Sequence, residues 1–380
     1  MTAPPRGTPP VGGRMRGPPM NDNNDNDRDR DRDRDTEKRQ ARRRFGTNSV
    51  TMADVARVAG VSAQTVSRVL REPDGCAPHT VERVREAIRA TQYVQNHAAS
   101  HLASNRSMTV AAVIPQIAAS IFAETLQGLS NVLLQAGYQV IIGHTDYSHE
   151  REEAVVRNLL GRRPDAFFLV GTRHTDAVRD MLARAAIPVV ESWAWTDTPI
   201  DQLVGFSNQA ALAEAVAYAR RRGYARPTFV GSLRAGDDRA RERLDGYLAG
   251  MAQHYPGVAP RTVVADELPY TMASGRALLA TARERHPDSD LLLFSSDLLA
   301  AGALLACQRQ GIAVPQALAV MGFGDYEVAS ELNPGLTTIA VPTVRMGEEA
   351  ARILVRRLRN EASDTRTLDL GFELVARGSA

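Results

Sequence analysis

Apolar residues first fall into a regular pattern at Val50, and from there to Tyr93 they recur every three or four positions. Met52, Val55, Ala56 and Ala59 share one face of a short helix, and Gly60 supplies a turn in which φ can be positive without a Cβ penalty. Ser62 is placed to cap a second helix, its hydroxyl accepting from an early backbone N–H, and Val66, Val69 and Leu70 pack that helix inward. A third helix opens with Pro78 in its first turn and carries Val81, Val84 and Ile88 as its apolar stripe. From Met108 the pattern changes. Short apolar runs at 110–114, 139–142, 166–170, 188–191, 227–231, 290–294 and 318–323 are each followed by sequence of helical period. This alternation predicts βαβ units, mostly parallel sheets and two doubly wound α/β lobes. Folds of that kind bind ligands beyond the carboxyl ends of their strands, so a pocket is expected in a cleft between the lobes.

Residues 1 to about 48 carry no such pattern: Pro and Gly dominate to Pro19, Asn and alternating Asp-Arg follow, and Arg42, Arg43 and Arg44 close the segment. Sequence this polar does not offset the entropy of ordering, so disorder is expected. The three arginines read either as a basic arm on DNA or as a solvated tail, the latter including an over-extended reading frame.

At 380 residues the chain has room for two or three compact units, and its 43% hydrophobic and 24% charged content is ordinary for a globular protein. A net charge of +2 means that any nucleic-acid surface must come from local clustering of arginine. Cys76 and Cys307 stand far apart, which excludes a disulfide framework or a CxxC zinc or redox site. No apolar stretch is long enough to span a bilayer and the N-terminus has no signal-peptide core, so no membrane partner and a cytoplasmic location are expected. Catalytic signatures are missing as well. There is no GxSxG, Walker loop or HExxH, and Gly322-Phe323-Gly324-Asp325 lacks the third glycine of a dinucleotide loop. The chain reads as a non-enzyme without cofactor or metal.

On the second helix, Ala63, Gln64, Ser67 and Arg68 face outward near its N-terminus, where short or hydrogen-bonding side chains suit entry into a major groove. Gln can pair with adenine and Arg with guanine. Val50-Thr51, Asp54-Val55-Ala56, Ala59-Gly60-Val61-Ser62 and Thr65-Val66-Ser67-Arg68-Val69-Leu70, with Tyr93 and Asn96 beyond, match in register the headpiece of the lactose/galactose repressor (LacI) family, which the chain resembles from Val50 onward. The resemblance implies an all-α helix-turn-helix headpiece joined to a two-lobed effector domain like the periplasmic sugar-binding proteins. It implies DNA contacts from Thr51, Ser62, Ala63, Gln64, Thr65, Ser67, Arg68 and Asn96. A hinge helix over 96–103 would drive Leu102 into a minor-groove step and bend the duplex. Gln95 replaces the usual Pro, and His97 and His101 are uncommon there and read as surface residues. The implied boundaries are 1–48 for the extension, 49–94 for the headpiece, 95–107 for the hinge and 108–380 for the effector domain. Within the last, one lobe takes about 108–207 and 341–369, the other 208–340 and 370–380.

Within the family the likeness runs toward gluconate-operon repressors, carried by 121–129, 136–139, Gly171-Thr172-Arg173-His174-Thr175, 187–191 and Leu368-Asp369-Leu370-Gly371-Phe372. Position by position, Phe122 falls where a side chain lines the pocket, and Arg243 where an Arg clamps the effector; a solvated helix charge beside Arg239 and Arg241 is the other reading of Arg243. Ser207-Asn208, Ser296-Asp297 and Gly324 followed by Asp325 depart from the family pattern and remove acceptor carboxylates. Arg243 with Arg173, His174 and His144 then tilts the pocket toward an anion, a sugar acid such as gluconate or a phosphorylated relative, with Ser296, Asp297 and Asp325 also at the site. A homodimer on palindromic operator DNA is expected, without a tetramerising heptad coil. The competing assignment is a solute-binding receptor with no transcriptional role.

Overall fold

The computed structural model describes residues 50–94, 106–117, 120–361 and 366–380, and its chain divides into two units, Met1–His97 and Ala98–Ala380. In the first unit, helices α1 (Met52–Ala59), α2 (Ala63–Arg71) and α3 (Pro78–Thr91) enclose a small core. Thr51 and Asp54 form a reciprocal capping box, with Asp54 N–H donating to Thr51 Oγ1 (3.3 Å) and Thr51 N–H to Asp54 Oδ2 (3.0 Å). Gly60 ends α1 at φ 63°, where a Cβ would be strained. The freed carbonyls of Ala59 and Gly60 accept from Arg83. Val55, Val66 and Val84 are wholly buried, and the expected stripe residues Met52, Leu70 and Ile88 pack around them half-buried.

The second unit holds two six-stranded sheets. Its strands are β1 (Thr109–Ile114), β2 (Gln139–His144), β3 (Ala166–Val170), β4 (Val189–Ser192), β5 (Gln202–Gly205), β6 (Pro227–Ser232), β7 (Arg261–Ala265), β8 (Leu291–Phe294), β9 (Ala319–Gly324), β10 (Thr337–Ala340), β11 (Thr367–Asp369) and β12 (Glu373–Val375). The helices are α4 (Ser120–Gln135), α5 (His149–Leu160), α6 (Asp176–Ala185), α7 (Asn208–Arg221), α8 (Asp238–His254), α9 (Met272–Arg285), α10 (Asp297–Arg309), α11 (Glu327–Glu331) and α12 (Thr343–Leu358). Strand order is β11-β5-β4-β3-β1-β2 in one sheet and β12-β10-β9-β8-β6-β7 in the other, parallel throughout except for β12 against β10. Central strands such as Ala166–Val170 are buried at every position, because helices cover both faces. The chain crosses between lobes after β5, after β10 and after β11. After the second crossing, α12 packs on α4 and the first sheet.

The seven apolar runs correspond to β1, β2, β3, β4, β6, β8 and β9, while β5, β7, β10, β11 and β12 fall outside them. These five are short and carry polar residues; in β10, the fully buried Thr337 and Thr338 satisfy their hydroxyls on Arg377 O and Asp297. Among the described residues no helix is long and apolar enough to cross a membrane.

Candidate functional site

Loops at the carboxyl ends of both sheets close around a cavity of about 260 Å³. Gln116 follows β1, Tyr147 follows β2 and Trp193 follows β4 in the first lobe; Asp237 follows β6, Tyr270 follows β7, Ser295 and Ser296 follow β8, and Tyr326 follows β9 in the second. One wall is aromatic. Phe122 and Trp193 meet edge to face at 5.1 Å, and the indole N–H donates to Thr125 Oγ1 at 3.2 Å, which fixes the ring.

The opposing wall is cationic. Asp237 caps α8, accepting from Ala240 N–H at 3.2 Å, so the helix starts at the cavity and presents Arg239 and Arg243, one turn apart, on the same face. Both are buried. Arg239 lies 3.6 Å from Asp237, with its guanidinium 5.5 Å from the Phe122 ring centre. Arg243 donates through Nη1 to Asn208 Oδ1 at 3.1 Å and stacks over Phe323 at 4.7 Å, while its Nε has no hydrogen-bond partner. Ser295 Oγ is likewise buried and unpartnered. The Asp237 carboxylate also accepts from Tyr270 OH at 2.8 Å. Burial first, and then Asp237, pushes the Tyr147 phenol up to about 12; Tyr270 is raised in the same way, and Tyr326 chiefly by burial. All three therefore stay hydroxyl donors at neutral pH. The cavity thus offers two guanidiniums against one carboxylate, an arrangement suited to an anion that also carries hydroxyls.

Of the residues expected from sequence, Phe122, Arg243 and Ser296 line this cavity. Arg173 lines a neighbouring recess of about 30 Å³ that shares Tyr147 and Arg239 with it. Four others stand outside the lining. His144 is exposed at the end of β2. His174 is buried between Glu152, 2.8 Å from Nδ1, and Glu191, 3.5 Å from Nε2. Asp297 lies wholly buried beneath the cavity, accepting from Tyr326 N–H (2.8 Å) and Thr338 Oγ1 (2.6 Å), and burial pushes its carboxyl up to about 7. It holds the Tyr326 backbone in place. Asp325 forms an ion pair with Arg377 at 2.7 Å. Sequence reasoning missed Gln116, Tyr147, Trp193 and Asp237, whose one signal is their position after apolar runs, and Tyr270, which follows a strand outside those runs; it took Arg239 for a neighbouring surface charge, whereas it is Arg241 that is exposed.

In the headpiece unit, Ser62 Oγ accepts from Thr65 N–H at 3.1 Å and lies 2.9 Å from Thr65 Oγ1, which starts α2. Ala63, Gln64 and Arg68 are exposed along one side, with Ser67 half-buried between them; Thr51 is exposed at the start of α1. Arg68 Nη2 reaches Gly75 O at 3.4 Å. Asn96, Leu102 and the rest of the expected hinge helix lie outside the described residues, as does the arginine-rich tail.

Residues 51–96 match the family of bacterial regulatory proteins described as the lacI family, and residues 216–380 match the periplasmic binding protein-like domain. The HTH-type transcriptional regulator GntR of Pseudomonas aeruginosa is 34% identical over 333 residues, covering 88% of this chain and 96% of that protein. The regulator IdnR of Escherichia coli is 31% identical, covering 86% and 97%. Among solved structures, a LacI-family transcriptional regulator from Silicibacter pomeroyi superposes with a TM-score of 0.81 at 35% identity, covering 87% of this chain and 99% of that one. GntR from Chromobacterium violaceum superposes with a TM-score of 0.68 at 37% identity, covering 71% and 98%. The lac repressor dimer bound to operator shares the fold, with a TM-score of 0.76 at 23% identity, covering 87% and 99%. A capped helix-turn-helix with a reading face, followed by two lobes around a ligand cavity, is what this family is built from, and the chain belongs to it: it is a LacI-family transcriptional regulator and not an enzyme.

Proposed function

We propose that this regulator represses its target promoters as a homodimer on a palindromic operator in the cytoplasm, and that a monoanionic polyhydroxy acid of the gluconate class controls it from the interlobe cavity. The observation that carries the ligand class is Arg243. It is a buried guanidinium with an unpartnered Nε, paired with a neutral amide, in a cavity where Arg239 already faces Asp237. One positive charge is in excess, and a single carboxylate balances it. The phenols of Tyr147 and Tyr326, which line the same cavity, are then available for hydroxyls of the carbon chain, while Tyr270 OH stays engaged with Asp237. The similarity to the HTH-type transcriptional regulators GntR and IdnR supports the regulatory half of this reading.

Calorimetric titration with gluconate, 6-phosphogluconate and glucose tests this reading. Gluconate should bind most tightly, and Arg243→Ala should weaken it about 10- to 100-fold, the range for losing a charged hydrogen bond. Tightest binding of glucose, or undiminished gluconate binding by Arg243→Ala, would refute the assignment.

A further inference from the structure

The parallel first sheet has two distinct edges, with the carboxyl ends of its strands facing the cavity and the amino ends facing away from it. The amino ends gather arginine. Arg106 precedes β1, Arg162 and Arg163 precede β3, and Arg366 precedes β11; Arg356 and Arg359 sit at the end of α12. All six are exposed. Arg106 donates to Leu358 O at 3.2 Å, which joins the start of β1 to the end of α12. Arg356 and Arg359 line a groove of about 300 Å³ floored by Val132, Ala136 and Val355.

The carboxylates on this edge are mostly engaged. Asp165 accepts from the N–H groups of Ser107 and Met108, each at 2.9 Å. Asp201 accepts from Val189 N–H at 3.1 Å and pairs with Arg357 at 3.4 Å. Glu361 is also exposed there. Arg162, Arg163, Arg356 and Arg359 form no ion pair among the described residues, whereas Arg352, one turn earlier on α12, is held by Glu348 and Glu349. A net charge of only +2 over the whole chain makes this concentration local.

We infer that this arginine edge of the first lobe is a second DNA-contacting surface, which binds backbone phosphates of the duplex whose bases the headpiece reads. Connectivity favours DNA over any other polyanion. Residues 95–105 link the headpiece to Arg106, and eleven residues span at most about 40 Å, so a duplex held by the headpiece is within reach of this edge. Guanidinium groups on a helix end and on loops, without a base-reading element, suit phosphate contacts that add affinity but no sequence preference.

The test uses the full chain, on a duplex selected by that chain from a random library and on an unrelated duplex of equal length. The double variants Arg162→Ser/Arg163→Ser and Arg356→Ser/Arg359→Ser change exposed side chains outside the cavity, so thermal midpoint and ligand binding serve as controls. Each double variant is expected to weaken both duplexes about 5- to 20-fold near 0.1 M salt. Each should also make the log–log salt dependence shallower by up to about 2, since each lost phosphate contact removes roughly 0.9 from the slope. Wild-type affinity and slope in both variants would overturn the inference. So would a loss of affinity with the wild-type slope, which marks a disturbed fold and not missing phosphate contacts.

Discussion

His174 shows how a residue chosen for its chemistry can serve the fold instead. The sequence offers an Arg-His pair just past an apolar run, the place for a ligand contact, yet the imidazole turns into the lobe between Glu152 and Glu191. Burial alone would depress its pKa. The hydrogen bond to Glu152 and the negative charges of Glu152 and Glu191, the latter 3.5 Å from Nε2, outweigh burial and raise it from 6.5 to about 9. At neutral pH the ring is an imidazolium that ties α5 to the end of β4 through the loop after β3. The folded-state pKa lies above the unfolded one, so the stabilisation is complete below about pH 6.5 and is lost as the pH rises through about 9. The shift corresponds to about 3 kcal/mol at most. Urea unfolding of the wild-type effector domain should therefore show a midpoint that declines between these limits, and His174→Gln should be less stable and nearly flat across the same window. A wild-type midpoint that does not change from pH 6.5 to 9.5 would remove the imidazolium from this role.

Elements whose signals are local were legible in the sequence, and those held by distant partners were not. The headpiece helices announce themselves through Gly60, Ser62 and Pro78, each acting within a few residues, to which the structure adds the Thr51 capping box. Central strands are continuous apolar runs because they are buried on both faces. In contrast, β5, β7, β10, β11 and β12 are short strands that mix polar residues with apolar ones, and β11 and β12 owe their pairing to distant partners: Thr367 lies beside Leu203, and Val375 opposite Thr338. The cavity divides the same way. Arg243 could be placed by resemblance, and the one-turn spacing on α8 could have added Arg239; the Tyr270–Asp237 hydrogen bond joins turns after two different strands, which no local pattern shows. Ser62 offers a direct check on the local signals. Its Oγ is the acceptor for Thr65 N–H at 3.1 Å, and loss of such a cap costs about 1 kcal/mol. Ser62→Ala should speed amide exchange at Val66 and Val69 in the full chain about fivefold, with ligand binding unaffected; unaltered exchange would show that the cap does not hold α2.

At the scale of the whole effector domain, the question is how occupancy of the cavity changes the relation of the lobes, and the lip of the cleft gives a specific answer. Arg234, after β6, reaches across to Asp146, after β2, at 3.3 Å, and its guanidinium lies 4.9 Å over the Tyr147 ring. His149 faces Asp238 at 3.8 Å, and Gly236 packs so closely on the Tyr147 carbonyl that a Cβ would not fit. These contacts bridge the two lobes, so any opening of the cleft would have to break them, and they would enter the free-energy difference on which a cavity ligand could act. Asp146 also accepts from Gln116 at 3.1 Å, which connects the latch to the cavity lining. An ion pair of this partly exposed kind contributes up to about 1 kcal/mol, enough to shift the closed population severalfold but not to hold the lobes shut without ligand. If the cavity takes the proposed gluconate-class ligand, Arg234→Ser should therefore weaken its binding about two- to fivefold and increase the radius of gyration of the unliganded protein. Asp146→Asn should do much the same, and the double variant should lose little more than either single one, because both break the same contact. If the two losses add in full, or neither variant alters affinity, closure is governed elsewhere and the ligand must act through the cavity walls alone.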